Sequence, residues 1–107
     1  MKSNARKVAE KFVGIHLYGT GVGPSRAGNL YINGYFIMSW DTPIALYRDG
    51  RFYVATKRYS VTTSSHRNNV VAAITKLCPS MLCTCDTILG LDCITDAERD
   101  MFRWARR

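Results

Sequence analysis

Acidic side chains are scarce in this sequence. Eight Asp and Glu stand against 15 Lys and Arg, a net charge of +7, and there are two histidines, His16 and His66. Prolines number three. No apolar run approaches the roughly 20 residues of a membrane-spanning helix. The basic start, Met1 to Lys7, has no apolar stretch behind it of the kind a secretion signal carries. These shortages exclude a membrane span and an acidic low-complexity chain, and they disfavour carboxylate-rich chemistry. The expectation is a single domain over residues 1–107 in the cytoplasm of its cell.

The charge is unevenly placed. Residues 1–76 hold 11 Lys and Arg and three acids (Glu10, Asp41, Asp49), a balance of +8. Residues 77–107 hold four Arg and five acids, a balance of −1. A basic field confined to the first two-thirds points to an anionic partner there, against the alternative of ordinary solubility charge. All four cysteines, Cys78, Cys83, Cys85 and Cys93, lie in the last third. Their C-x4-C-x-C-x7-C spacing is a poor match to zinc motifs, because Cys83 and Cys85 are only one residue apart. They read as reduced thiols in an apolar segment, with a metal site as the weaker alternative.

Ser3 caps a helix over about 4–13 whose Ala5, Val8, Ala9 and Phe12 share a face, with Gly14 as its stop. Gly19 to Gly28 is glycine-rich, yet Asn29 and Leu30 stand where a P-loop needs Lys and Ser or Thr. It reads as an irregular connection. Residues 30–58 read as three to four antiparallel strands. Asn33-Gly34 makes one turn and Asp41-Thr42-Pro43 a break. Asp49-Gly50 makes a two-residue hairpin turn that pairs Arg48 with Arg51 and Tyr47 with Phe52. Ala45, Tyr47, Phe52 and Val54 then face the core. Ile44, Leu46, Arg48, Arg51, Tyr53 and Lys57 lie on the other side. Facing arginines repel unless an anion joins them, either Asp49 or an external phosphate.

A second helix spans about 65–77, capped by Thr63 or Ser64, with Val70, Ala73, Ile74 and Leu77 as its apolar stripe and Pro79 beyond it. Residues 78–94 are ambiguous. A capping box, Thr95 to Glu98, opens a last helix over about 95–107. Ala97, Met101, Trp104 and Ala105 are its expected inward side chains. The fold class is α+β: a small antiparallel sheet covered by three helices.

The densest polar run, Lys57 to Asn69, falls where a strand feeds a helix N-terminus. Cations, hydroxyls and free amides gather there and suit phosphate or carboxylate, though the hydroxyls could serve as caps alone. The candidate ligand-binding residues are Lys57, Arg58, Tyr59, Thr63, Ser64, His66 and Arg67. Arg48, Arg51 and Tyr53 on the hairpin join them.

Thr42-Pro-Ile-Ala45, Asp49-Gly50, Tyr53-Val-x-Thr56 and Tyr59-Ser-Val-Thr-Thr-Ser64 with His66 together resemble an uncharacterised family of small proteins encoded by tailed bacteriophages and prophages. The likeness covers about residues 29–75. It implies a virus-encoded accessory protein working in a bacterial host's cytoplasm, and brings no activity or cofactor with it. The leading expectation is a non-catalytic module that binds nucleic acid or a nucleotide, a host-defence signalling nucleotide among them. The alternative is an inhibitor of a host protein with Tyr18, Tyr31 and Trp40 as anchors. A nuclease or phosphotransferase, with His66 as base and Asp41 orienting it, ranks third because carboxylates are so few. No cofactor is implied, and self-association stays open.

Overall fold

A computed structural model describes residues 3–103. The elements run α1 (Asn4–Tyr18), β1 (Arg26–Ala27), β2 (Leu30–Asn33), β3 (Phe36–Ser39), β4 (Thr42–Arg48), β5 (Arg51–Ala55), α2 (Val61–Leu77), β6 (Leu82–Cys85) and α3 (Asp96–Met101). A 3-10 turn, Pro79–Met81, leads from α2 into β6. The strands form one sheet in sequence order. The first five pair antiparallel, and β6 lies parallel to β5 after the α2 crossover.

The α+β class holds, but the sheet has six strands and is mixed, not three or four and antiparallel. The two extra strands are weak signals. The first is two residues inside the glycine-rich loop, and β6, Leu82-Cys-Thr-Cys85, is a short edge strand. The 48–51 hairpin pairs as expected, with Asp49 and Gly50 at φ 52° and 76°. Two other turns shift by a residue. Gly34-Tyr35 and Trp40-Asp41 are the loop pairs, because Asn33 still pairs with Phe36 and Ser39 with Thr42.

One helix boundary moved for a packing reason. The first helix runs through Gly14 and stops at Gly19, which adopts φ 79°. Gly14 is buried, and a Cβ there would meet Thr20 O at 3.3 Å. Its lack of a side chain lets the chain return across the helix, so it serves close approach and not termination. Lys11 Nζ donates to Gly23 O at 2.8 Å and holds that returning loop.

Both faces of the sheet are covered. Val8, Ala9, Phe12 and Val13 of α1 and Val70, Ala73 and Ile74 of α2 bury one face against Leu30, Ile37, Phe52 and Val54. Arg6 Nε donates to Asn69 Oδ1 at 3.2 Å, and Lys76 approaches Glu10 at 3.6 Å, tying the two helices together. The opposite face, Phe36, Met38, Leu46 and Ala55, is buried beneath Ile88, Ile94 and Phe102. Double coverage explains the unbroken apolar runs 36–38 and 44–46, which lack strict alternation. Ile44 departs from the expected face. Ile37 pairs with Ala45 and Met38 with Pro43, so Ile44 is the extra residue of a β-bulge and joins the helical side.

The capping box at Thr95 and Glu98 forms, with Glu98 N donating to Thr95 Oγ1 at 3.1 Å. Ala97 and Met101 are exposed, contrary to the expected inward stripe, and Phe102 is buried instead. Glu98 and Phe102, four residues apart on one face, engage Arg48 and Phe36 of the sheet, and that turns Ala97 and Met101 outward. Trp104 and Ala105 lie outside the described residues, as does the 104–107 end of the expected helix.

Candidate functional site

In a βαβ unit, the loop leaving the C-terminal end of a strand meets the N-terminus of the crossover helix, and ligands gather at that end. Here the unit is β5-α2-β6. Residues 56–60 leave β5, residues 86–90 leave β6, and the Trp40-Asp41 turn reaches the same end because β4 runs antiparallel to β5.

Ser60 caps α2: its Oγ accepts from Thr63 N at 3.3 Å. The helix therefore begins at Val61, and Thr63 and Ser64, the expected caps, sit in its first turn. Thr63 is buried. Ser60 Oγ donates to Thr63 Oγ1 at 3.2 Å, and Ser39 Oγ donates to the same atom at 3.0 Å. Ser39 is fully buried and lies 2.7 Å from Nδ1 of His66. With its own proton given to Thr63, the Ser39 oxygen accepts that of His66 Nδ1. The buried Ser39 and Thr63 thus find hydrogen-bond partners in each other, in half-buried His66 and in exposed Ser60, as buried polar groups must. Burial lowers the His66 pKa, which keeps the ring neutral at pH 7.

Above this ladder, Trp40 sits at φ 56° with its side chain 55% exposed. A bulky L-residue in the left-handed region carries backbone strain of about 1 kcal/mol or more. Its N–H is fixed by Asn29 O at 2.8 Å. Trp40, Asp41, Thr42, Tyr59, Ser60 and Thr62 edge a groove of about 490 Å³. A smaller hollow of about 220 Å³ adjoins it at Thr42 and Tyr59 and has Ile88 and Leu89 in its wall. Burial raises the Tyr59 phenol pKa.

On the other flank of Tyr59 lies an open depression of about 560 Å³. Arg58, Ser64, Ser65, Arg67 and Asn68 line it, and no carboxylate does. One Arg67 Nη donates to Thr56 O at 3.4 Å and Lys57 O at 3.1 Å, bracing the β5–α2 loop. Lys57 is half-buried, and its amide donates to Asp86 O at 2.9 Å.

The ten expected ligand-binding residues thus divide. Arg58, Tyr59, Ser64 and Arg67 share the depression; Lys57 lies in the loop that Arg67 braces and does not line it; Thr63 belongs to the groove; His66 lies below, on Ser39. Arg48, Arg51 and Tyr53 stand apart, toward the far end of β5. The Arg48 guanidinium donates to both Glu98 oxygens, at 2.9 and 2.6 Å, and to Cys93 O at 2.7 Å. Arg51 donates to Cys83 Sγ at 3.6 Å. The acid that takes up Arg48 is therefore Glu98 from α3, not Asp49, while Arg51 turns to Cys83. The Arg48 hydrogen bonds hold the Glu98 pKa down at about 2. Tyr53 packs half-buried against the second apolar cluster.

Among the described residues no group of three or more His, Cys, Asp or Glu is placed to hold a metal ion. Cys78 is buried with the α1–α2 core, whereas Cys85 and Cys93 pack on the opposite face. Burial pushes the Cys85 thiol up to about 11. Of the three aromatic anchors expected for a protein inhibitor, Tyr18 and Trp40 are exposed. Tyr31 is half-buried under Arg26, whose guanidinium lies 4.3 Å from its ring. Sequence reasoning missed Ser39 and the placement of Trp40 beside α2; a tryptophan in a two-residue turn was the available signal.

A family model described as a family of unknown function (DUF8033) matches residues 4–77. The chain belongs to DUF8033. No curated protein and no solved structure matches it. The DUF8033 stretch contains α1, β1 to β5 and α2, and so the groove edge at Trp40 and the depression at Arg58 and Arg67. It leaves outside Cys83, Cys93 and Glu98, the residues that engage the hairpin arginines. The likeness over about 29–75 falls within the match, and the cysteine-bearing segment falls beyond it. No described helix is long and apolar enough to cross a membrane.

Proposed function

We propose that this DUF8033 protein is a non-catalytic binding module for an anionic ligand, a nucleic acid or nucleotide, held at the mouth of α2. One observation carries the reading. Arg58 and Arg67 open onto a depression with hydroxyl and amide donors and no carboxylate to neutralise them. Arg48 and Arg51, already engaged within the chain, are left out of this site. The likeness to proteins of tailed bacteriophages and prophages supports a virus-encoded accessory protein acting in a host cytoplasm.

The test is fluorescence anisotropy of a labelled single-stranded oligonucleotide and a labelled nucleotide between 50 and 200 mM salt. A strand should bind with an affinity that falls steeply with salt. Arg58→Ala, at an exposed position, should weaken binding and lower the salt slope by about one counterion. Arg51→Ala should change neither. Absence of binding at the lowest salt, or equal effects of the two substitutions, overturns the reading.

A further inference from the structure

We propose that a nucleotide straddles Tyr59, with its planar ring in the groove beside Trp40 and its phosphate in the depression of Arg58 and Arg67. The inference rests on the anion-binding reading and adds to it the ring and the direction in which the ligand lies.

The groove and the depression are neighbours because Tyr59 lines both. Their chemistry differs. The depression has two guanidiniums and no acid, so it attracts phosphate. The groove has Asp41 at its edge, which repels phosphate but accepts from the N–H donors of a base. An anion alone would therefore use one flank of Tyr59 and leave the other empty. A nucleotide has the two chemistries in the matching order.

Trp40 is the second support. Its indole is 55% exposed although the opposite side of the turn is anchored to Asn29. It stands at φ 56°, where glycine or asparagine would fit without strain. The fold gains no core burial from this indole, and the strained position presents a flat aromatic face at the groove. Aromatic faces of this kind stack on any nucleobase. The buried hydroxyls of Ser39 and Thr63, joined to Ser60 at the rim, make a fixed floor, so the groove is preformed.

Calorimetric titration of the full chain tests this with the four nucleoside monophosphates, inorganic phosphate and a six-nucleotide single strand. At least one nucleotide should bind about tenfold more tightly than inorganic phosphate, the contribution of one stacked base. Trp40→Gly suits the local backbone and keeps the fold, as a thermal melt will verify. It should erase that tenfold advantage and leave phosphate affinity unchanged; Trp40→Phe should restore most of it. Equal binding of phosphate and every nucleotide, or an advantage that survives Trp40→Gly, overturns the inference and leaves the anion site standing. Failure of phosphate, nucleotides and strand alike overturns both. Strand binding that is tighter, salt-steep and lost in Trp40→Gly identifies a nucleic acid as the source; equal affinity for the mononucleotide identifies a free nucleotide, and each supports the proposal.

Discussion

The two ends of β5 carry the same kind of side chain to different ends. At its start Arg51 faces Arg48 across the hairpin, and both are taken up within the molecule, by Cys83 and by Glu98. Past its end Arg58 and Arg67 flank a depression that contains no acid. Arg48 fastens the C-terminal layer to the sheet and Arg51 joins β5 to β6, whereas Arg58 and Arg67 line a depression, Arg67 with one Nη on the Thr56 and Lys57 carbonyls and neither with an acid beside it. Sequence charge could not separate them, because the difference lies in partners up to 50 residues away. A cluster of cations becomes evidence for a ligand only once its internal counter-charges have been located.

Phe52 lies between these ends, fully buried, with its ring 5.9 Å from Phe12 and 4.9 Å from Tyr47. Phe52→Ala should cost about 4 kcal/mol and disturb both ends at once, read as a fall in the denaturation midpoint. If one end kept its properties after that loss, the ends would be separate units and not two fates of one strand. A smaller change sharpens the contrast. Glu98 has two functions, accepting from Arg48 and closing the capping box through Thr95 N at 2.9 Å. Glu98→Ala should cost about 2 kcal/mol, more than an exposed ion pair alone would. It frees Arg48, yet anion affinity at the α2 mouth should not change. A gain in affinity at that mouth would show that the two ends are electrostatically coupled.

Much of this fold was legible because short-range chemistry dictates it. Asp49-Gly50 is a turn sequence whose flanking residues fix the 45–54 register, and Thr95 with Glu98 forms its box from four consecutive residues. The apolar stripes of α1 and α2 follow from helical spacing. What escaped depends on distant packing. Gly14 looks like a stop until the returning loop at Thr20 is seen to need its missing side chain. Ile44 changes face because a bulge against β3 inserts a residue, which alternation within β4 cannot reveal. β6 is defined by its neighbour β5. The site was half legible: the polar run 57–69 marks the helix mouth, but the sequence does not show that His66 turns down to Ser39 or that Trp40 reaches the same end from another hairpin.

The two ends also differ in how they respond to acid, and the last prediction uses that. Burial depresses the His66 pKa below its ordinary 6.5, so the folded state binds fewer protons than the unfolded state there. Stability at the α2 mouth is therefore complete above pH 6.5 and declines as pH falls from there toward the lowered folded value. His16, also lowered by burial, adds to the same pH step from the hairpin end, where its ring stacks on Tyr35 and Tyr47. At the hairpin end Glu98 is depressed from 4.5 to about 2, so its contribution persists through that first step and is lost only between those values. Urea midpoints measured from pH 8 to pH 3 should fall in two stages. His66→Asn should shrink the first stage and spare the second; Glu98→Gln should do the reverse. A midpoint that stays flat from pH 7 to pH 5 would mean that His66 is not held neutral by its burial on Ser39.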